Sequence, residues 1–300
     1  MTRIWKYRFY YYLAIPGLLY FLIFHYVPMG GALIAFKDIS PFDGLGGFFD
    51  APWVGLKHFE RFTSSVYFYN IIENTIIISG LKILFGFPAP IIFALLLNEI
   101  LRTNFKRIIQ TISYLPHFIS WVVTAGMITA LLATSGGLLT ESINSITGSK
   151  INFLGNKDYF VGILVSSHVW KTIGWSSIIY LAAMSSIDPA LYESARMDGA
   201  NRLQMAWYIT IPSISLVIVI MFLLEIGNLL EAGFEQIVLL YSPSVYKVAD
   251  IIDTFVYREG LLALKYSFAS AVGLFKAVIA FFLLYLANKM ANRLGHTGLW

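Results

Sequence analysis

Four ionisable side chains interrupt long apolar runs. They are Lys82 in "TIIISGLKILFGFPAP", Lys171 in "VSSHVWKTIGWSS", Glu225 in "VIVIMFLLEIGNLL" and Lys276 in "ASAVGLFKAVIAFF". An ionisable group in hydrocarbon costs about 2.5–3.5 kcal/mol on insertion scales, so such residues mark a polar pathway or an ion pair by default. At about 1.5 Å of rise per residue, Lys82 and Lys171 each lie roughly 16 Å from the outer end of their runs. Lys276 is somewhat shallower, and Glu225 falls near the middle. Charges at similar depth on four segments imply one polar lumen. The alternative is that Lys82, Lys171 or Lys276 pairs with Glu225 and fixes packing, with Glu73 and Glu231 as further partners. Three lysines against one mid-run glutamate leave positive charge over, which points to an anionic solute.

The elements that carry these residues read as membrane helices. The chain has 300 residues, of which 58% are hydrophobic and only 13% charged, and its mean hydropathy is +0.71. A soluble domain carries about 25% charge, so one soluble core does not absorb this sequence. A helix needs about 20 apolar residues to cross the hydrocarbon. Six segments qualify: Tyr11–Phe36, Ile71–Leu97, Ile108–Ala133, Phe160–Ser186, Ile211–Leu230 and Phe268–Ala287. They are too long and too continuous for barrel strands. The expected fold is an all-α integral membrane protein with six transmembrane helices, a single domain over 1–300. The basic start and apolar run at the N-terminus lack a small-x-small cleavage site and read as a retained first span rather than a signal peptide.

Orientation follows from lysine and arginine in short loops. Arg3, Lys6 and Arg8 precede the first segment, Arg102, Lys106 and Arg107 follow the second, Arg196 and Arg202 follow the fourth, and Lys289 and Arg293 follow the sixth. Both termini and the loop at 187–212 are therefore placed in the cytoplasm. Lys37, Lys57, Arg61, Lys247, Arg258 and Lys265 then lie outside. The outer segment "SPFDGLGGFFDAPWVGLKHFERF" reads as a structured, Gly-rich loop. The external loop at 232–267 contains a stretch, 247–258, whose Val248, Ile251, Ile252 and Phe255 have helical spacing and predict a short amphipathic helix. Pro88, Pro90, Pro116 and Gly126 invite kinks or close packing inside spans.

Several functions are excluded by what the sequence lacks. There is no cysteine, hence no disulfide, thiolate metal site or cysteine nucleophile. His25, His58, His117, His168 and His296 show no metal-binding spacing. No GxxxxGK[ST] phosphate loop is present, and no catalytic constellation is found, so an enzyme is not expected.

The polar stretch "YESARMDGANRLQMAWYITIP", Tyr192 to Pro212, is the other unusual feature. Asp188-Pro189 is a helix start, with a side-chain acceptor at the cap and proline at the first helical position. Asp198-Gly199 ends that helix. Asn201 with Gln204 three residues on forms a capping box and starts a second helix running to about Thr210. A helix–turn–helix between two spans, with Leu191 and Ala195 on one face and Leu203 and Trp207 on another, transmits force in a way that a flexible connector does not. Read from helical character alone, it is equally an amphipathic connector resting on lipid.

Glu193-Ser194-Ala195, then Gly199, then Ile211-Pro212 resembles the "EAA" motif of the membrane subunits of bacterial binding-protein-dependent ABC importers. Ser194 and "ITIP" are mild departures from that pattern. "YVPMGGALIAFKD", "NTIIIS", "ALLLNEI", "FKRIIQTISYLPHFISWVV", "WKTIGWSSIIYLAAMSSIDPALYESARMDGAN" and "FASAVGLFKAVI" resemble the oligosaccharide and polysaccharide-fragment branch of these permeases, related to the maltose permeases. The resemblance spans nearly the whole chain. It implies a non-catalytic permease subunit in a bacterial cell membrane that moves oligosaccharides inward by alternating access. It also implies that Tyr192, Glu193, Ala195, Asp198, Gly199 and Ala200 form a coupling helix seated in a cytoplasmic ATPase subunit. The implied partners are a second homologous permease, two ATPase subunits and an extracellular or periplasmic solute-binding protein. ATP and Mg are used by the ATPase subunits, and this chain binds no cofactor. A uronate-containing or sulfated cargo is consistent with the surplus lysines.

Sugars need flat apolar surfaces and hydrogen-bonding edges, which Trp and Tyr supply together. Trp170 and Trp175 flank Lys171, and Trp121, Tyr180 and Asn228 are further candidates. Aromatics are also commonplace interfacial anchors, and His168 is equally suited to bonding a neighbouring backbone. His168, Lys171 and Trp175 share a helix face by their spacing, and that face is the expected lumen wall. The competing reading is an ion-gradient-driven secondary transporter working without an ATPase, which predicts inverted repeats and broken helices.

Overall fold

The structure, a computed structural model, describes residues 7–40, 42, 44 and 46–293. Arg3, Lys6 and His296, with Pro41, Asp43 and Leu45 of the Gly-rich loop, lie outside the described residues. Among those described there is no strand, only one antiparallel bridge between Lys37 and Trp53. The main helices are α1 Arg8–Phe36, α2 Phe68–Asn98, α3 Thr103–Phe118, α4 Trp121–Leu131, α5 Leu138–Thr147, α6 Lys157–Met184, α7 Pro189–Met197, α8 Arg202–Ser213, α9 Ser215–Gly227, α10 Phe234–Leu240 and α11 Tyr266–Arg293.

Among the described residues, three helices, α1, α2 and α11, are long and apolar enough to cross a membrane by themselves. The expected third span is instead the pair α3–α4, bent by 101°, and the expected fifth is α8–α9, bent by 67°. Counting each pair as one crossing gives up to five. The remaining expected span, α6, has 28 residues but is less apolar. Ser166, Ser167, His168, Lys171, Thr172, Ser176 and Ser177 all lie on it.

Prolines mark several irregularities. Proline lacks a donor and its ring clashes with the carbonyl four residues back. The π-helical turns Leu22–Tyr26 and Ala206–Thr210 each end two residues before a proline, Pro28 and Pro212, so the widened turn accommodates the ring. At Pro116 the helix persists two residues further and ends at Phe118. Ser120 then caps α4, its hydroxyl accepting from Val123 N–H.

The chain forms two compact units. The first contains the described residues through Phe68 together with Phe255–Ala277. Its centre is Phe62, 1% exposed, with ring centroids of Phe68, Phe255, Phe275 and Phe268 at 5.1, 6.0, 5.5 and 6.4 Å. In the segment between α1 and α2, Lys57 donates to Asp38 at 2.8 Å, and this hydrogen bond holds the Asp38 carboxyl below its usual range. None of the residues from Arg8 to Met29 is buried, as expected of a helix whose apolar sides meet lipid.

The second unit, Tyr69–Thr254 with the described residues from Val278 on, holds the larger core. Ile78, Ala125, Phe160, Leu164, Ile237 and Ile251 cluster there, each at most 4% exposed. The central helix is α6, which packs most extensively on the Pro88–Asn98 half of α2 and on α3. A Cβ at Gly174 would run into the Ser113 carbonyl, so glycine permits that approach. The amphipathic helix expected over 247–258 is interrupted. Tyr246–Ala249 and Ile252–Val256 are separate turns, followed by a π turn at Tyr257–Leu262. The break is held by polar bonds. Asn74 donates to the carbonyls of Lys247 and Asp250 at 3.2 and 3.0 Å, and Ile252 N–H donates to Thr75 at 3.0 Å.

Candidate functional site

Within the second unit, α2, α6 and α9 enclose a cavity of about 170 Å³. From α6 it receives His168, Thr172, Ser176 and Tyr180, four residues at a spacing of four and hence on one helix face. Glu225 and Asn228, three apart on α9 and its cap, face it with Glu231, while Ser79 and Lys82 come from α2. Glu225 is exposed and makes no hydrogen bond or ion pair to a described residue. The cavity thus offers hydroxyls, an imidazole, an amide and carboxylates around a small polar volume, a set that matches the hydroxyls of a carbohydrate.

Neither Lys82 nor Lys171 is free in it. Lys82 is 6% exposed. Its ammonium donates to the Ala232 carbonyl at 2.8 Å and to Gln236 Oε1 at 2.5 Å. Gln236, fully buried, passes the bond on through its amide to the Leu164 carbonyl and Ser167 Oγ, both at 2.8 Å. Three helices are joined through one charge. Lys171 is also 6% exposed and turns away from the cavity. Its ammonium donates to the carbonyls of Pro116 at 2.9 Å, His117 at 3.2 Å and Ile119, and lies 5.3 Å from the Trp121 ring centroid. Among the described residues neither lysine forms an ion pair, so pairing with Glu225 is not what holds them.

The cavity therefore brings together Lys82, His168, Glu225 and Asn228, but not Trp121, Trp170, Lys171 or Trp175. Trp175 stacks on His117 at 4.7 Å with the rings 3° from parallel. Trp170 borders an apolar groove with Met127, Leu131, Leu139 and Phe153. Lys276 is half-buried on α11 in the first unit. The face predicted from His168, Lys171 and Trp175 is offset by one residue from the face that lines the cavity. Thr172, Ser176 and Gln236 were not anticipated. The first two were legible as small polar residues at intervals of four from His168.

The polar loop has the predicted design. Asp188 caps α7 by accepting from Ala190 N–H at 2.9 Å, and Pro189 follows. Gly199, at φ +82°, closes α7, with its N–H on the Arg196 carbonyl and that of Ala200 on the Ala195 carbonyl. This is the glycine-terminated helix end. The Asn201–Gln204 capping box is complete, with bonds of 2.8 and 2.9 Å. Tyr192 Oη meets Thr210 Oγ1 at 2.9 Å, clamping α7 to α8, and Arg202 pairs with Glu99 at 3.1 Å. Glu193, Asp198 and Gly199 are exposed, Tyr192, Ala195 and Ala200 half-buried. A shallow depression at the α7–α8 turn is lined by Ala195, Gly199, Ala200 and Tyr208.

Comparison with known proteins matches this arrangement. The model of the family described as "Binding-protein-dependent transport system inner membrane component" covers residues 86–296. The chain is 44% identical over 300 residues to the polygalacturonan/rhamnogalacturonan transport system permease protein YteP of Bacillus subtilis (strain 168), covering all of this chain and 92% of that one. It is 43% identical to Protein LplB of the same organism, over 97% of this chain and 90% of that one. A solved bacterial ABC transporter involved in the import of the acidic polysaccharide alginate has a chain that matches at TM-score 0.90 and 42% identity, covering 97% of this chain and 98% of that one. A second, the bacterial alginate ABC transporter in complex with alginate pentasaccharide-bound periplasmic protein, matches at TM-score 0.90 and 41% identity, over 99% of each chain. Full-length likeness of sequence and fold, together with the capped polar loop, puts this chain in the family of binding-protein-dependent transport system inner membrane components.

Proposed function

We propose that this chain is one permease subunit of an ATP-driven importer of acidic oligosaccharides in a bacterial cell membrane. The observation that carries the reading is the loop at 187–212. It is a rigid, doubly capped helix pair that leaves Glu193 and Gly199 exposed, which is what a segment seated in a cytoplasmic ATPase requires. The likeness to permeases for polygalacturonan/rhamnogalacturonan and alginate supports a uronate cargo. The chain works with a second homologous permease, two ATPase subunits that use ATP and Mg, and an external solute-binding protein.

In this reading six crossings are made by α1, α2, α3–α4, α6, α8–α9 and α11, with both termini cytoplasmic. At 28 residues and about 1.5 Å per residue, α6 is long enough for a hydrocarbon core of about 30 Å, and of its polar residues Ser167, Lys171 and Ser177 are buried. The cargo passes the cavity, where His168, Thr172, Ser176 and Tyr180 oppose Glu225 and Asn228 and take sugar hydroxyls. The test is ATPase activity of the reconstituted complex with its binding protein. Uronate-containing oligosaccharides are expected to stimulate it more strongly than neutral ones of equal length. Equal or preferential stimulation by neutral chains sinks the acidic cargo, and absence of stimulation by any sugar sinks the importer.

One observation favours ion-driven transport, namely the interrupted α3–α4 pair. In secondary transporters the carbonyls of such breaks coordinate the coupling ion. Here a lysine already occupies them.

A further inference from the structure

The 101° bend between α3 and α4 leaves carbonyls at the end of α3 without helical partners. Water satisfies such groups at a surface. Here the carbonyls of Pro116, His117 and Ile119 converge on one buried ammonium, that of Lys171, and only the first has a backbone donor besides, the Ile119 N–H at 3.3 Å. The Trp121 ring, first in α4, lies near the same charge, and its face attracts a cation. No carboxylate among the described residues pairs with it. The surroundings are those of a cation site built from backbone oxygens and one aromatic face, with the cation supplied on a four-carbon tether from α6.

We infer that Lys171 is a tethered cation that holds the α3–α4 break in shape, and is a positioning residue rather than a contact for cargo. Packing around it is consistent with that role. Gly174, one turn on, lets α6 approach the Ser113 backbone, and Trp175 stacks on His117, next to the break. The lysine anchors the end of α3 and its link to α4 onto α6, whose other face lines the cavity. Removing the ammonium leaves the His117 and Ile119 carbonyls without a donor and that of Pro116 with only the Ile119 N–H, and the break is then free to open or straighten.

The test uses the whole importer in lipid nanodiscs and proteoliposomes. It compares wild type with Lys171→Met, which keeps the stem, Lys171→Arg, which keeps donors, and Lys171→Ala, which leaves room. Amide hydrogen exchange in peptides covering 116–124 is expected to rise in Lys171→Met, with peptides at 189–205 unchanged. Uptake of a uronate oligosaccharide is expected to fall about tenfold or more, through kcat rather than KM. In Lys171→Ala, methylammonium chloride is expected to restore uptake and exchange protection several-fold over N-methylglucamine chloride at equal ionic strength, and to leave wild type unaffected.

A rise in KM with unchanged amide exchange overturns the inference, because Lys171 then touches cargo. Unchanged uptake and exchange in Lys171→Met overturn it as well, as does failure of the amine to restore either quantity in Lys171→Ala. If Lys171→Met does not assemble, assembly becomes the readout. Assembly of Lys171→Arg then supports the inference, and its failure alongside Met overturns it. The uptake arm rests on the permease reading, whereas the exchange arm does not. A wild type that transports nothing therefore sinks that reading and leaves this one still decided by exchange.

Discussion

Gly233 shows how closely one residue can be dictated by a charge from elsewhere in the chain. It sits at φ +89°, where a side chain costs about 1–2 kcal/mol. A Cβ there would come within 2.5 Å of Lys82 Nζ. Displacing that ammonium leaves the Ala232 carbonyl and Gln236 Oε1 short of a donor in a buried place, at about 1–3 kcal/mol each. Gly233→Ala is therefore expected to lower the thermal midpoint of the purified complex and the fraction that stays monodisperse. Gly126→Ala serves as the control, since nothing lies within 4 Å of its Cβ. Equal midpoints for the two variants are the outcome that removes Lys82 and its bonds from the list of what holds this wall together. Lys82 and Lys171 share a logic. Among the described residues each is buried without an ion pair, and each donates to backbone carbonyls.

At the scale of elements, the α7–α8 loop separates what a turn needs from what a partner needs. Gly199 has a left-handed backbone but open space where a Cβ would stand. Asparagine adopts that backbone with little strain, and valine does not. If the position is only a turn, Gly199→Asn retains sugar-stimulated ATPase and Gly199→Val loses it. If an ATPase surface closes over the turn, as proposed, Gly199→Asn also loses most of the stimulation while the permease still assembles. Full activity of Gly199→Asn is the result that refutes close seating. This loop was legible in the sequence because its determinants are local: Asp188 with Pro189, Gly199, and Asn201 with Gln204 lie within a few residues of the bonds they make. The cavity wall was legible only in part. Polar residues lie all around α6, so periodicity does not select between the face of Lys171 and that of Thr172, and packing against α2 and α3 decides it. Gln236 as the partner of Lys82 was not legible at all, because 154 residues separate them. Pro116 marked the neighbourhood of the bend at Ile119–Ser120, but its size, 101°, was not legible, since the Lys171 bonds that hold it come from a helix some fifty residues on.

For the whole molecule the open quantity is how often the chain crosses the bilayer, and the absence of cysteine makes it measurable without first stripping native thiols. Four exposed positions fall between the proposed crossings: Val66 at 87%, Leu101 at 84%, Ile146 at 85% and Met197 at 88% exposure. Each is replaced by cysteine in turn and treated with a membrane-impermeant maleimide on intact cells, then after permeabilisation in a strain lacking the ATPase subunits. The loop charges place Lys57 and Arg61 outside, Arg102 inside and Arg196 inside. Val66→Cys and Ile146→Cys are therefore expected to react in intact cells, and Leu101→Cys and Met197→Cys only after permeabilisation. The comparison of Leu101 with Ile146 carries the most information. A pair bent by 101° either crosses the bilayer as a broken span or returns to the side it entered from. Reaction on opposite sides makes α3–α4 a crossing. It also makes the carbonyls held by Lys171 part of the wall between inside and outside. Reaction on the same side makes the pair a re-entrant loop. Labelling of Ile146 and Met197 from opposite sides then makes α6 a crossing that begins on the side of Leu101, and the six-span arrangement falls.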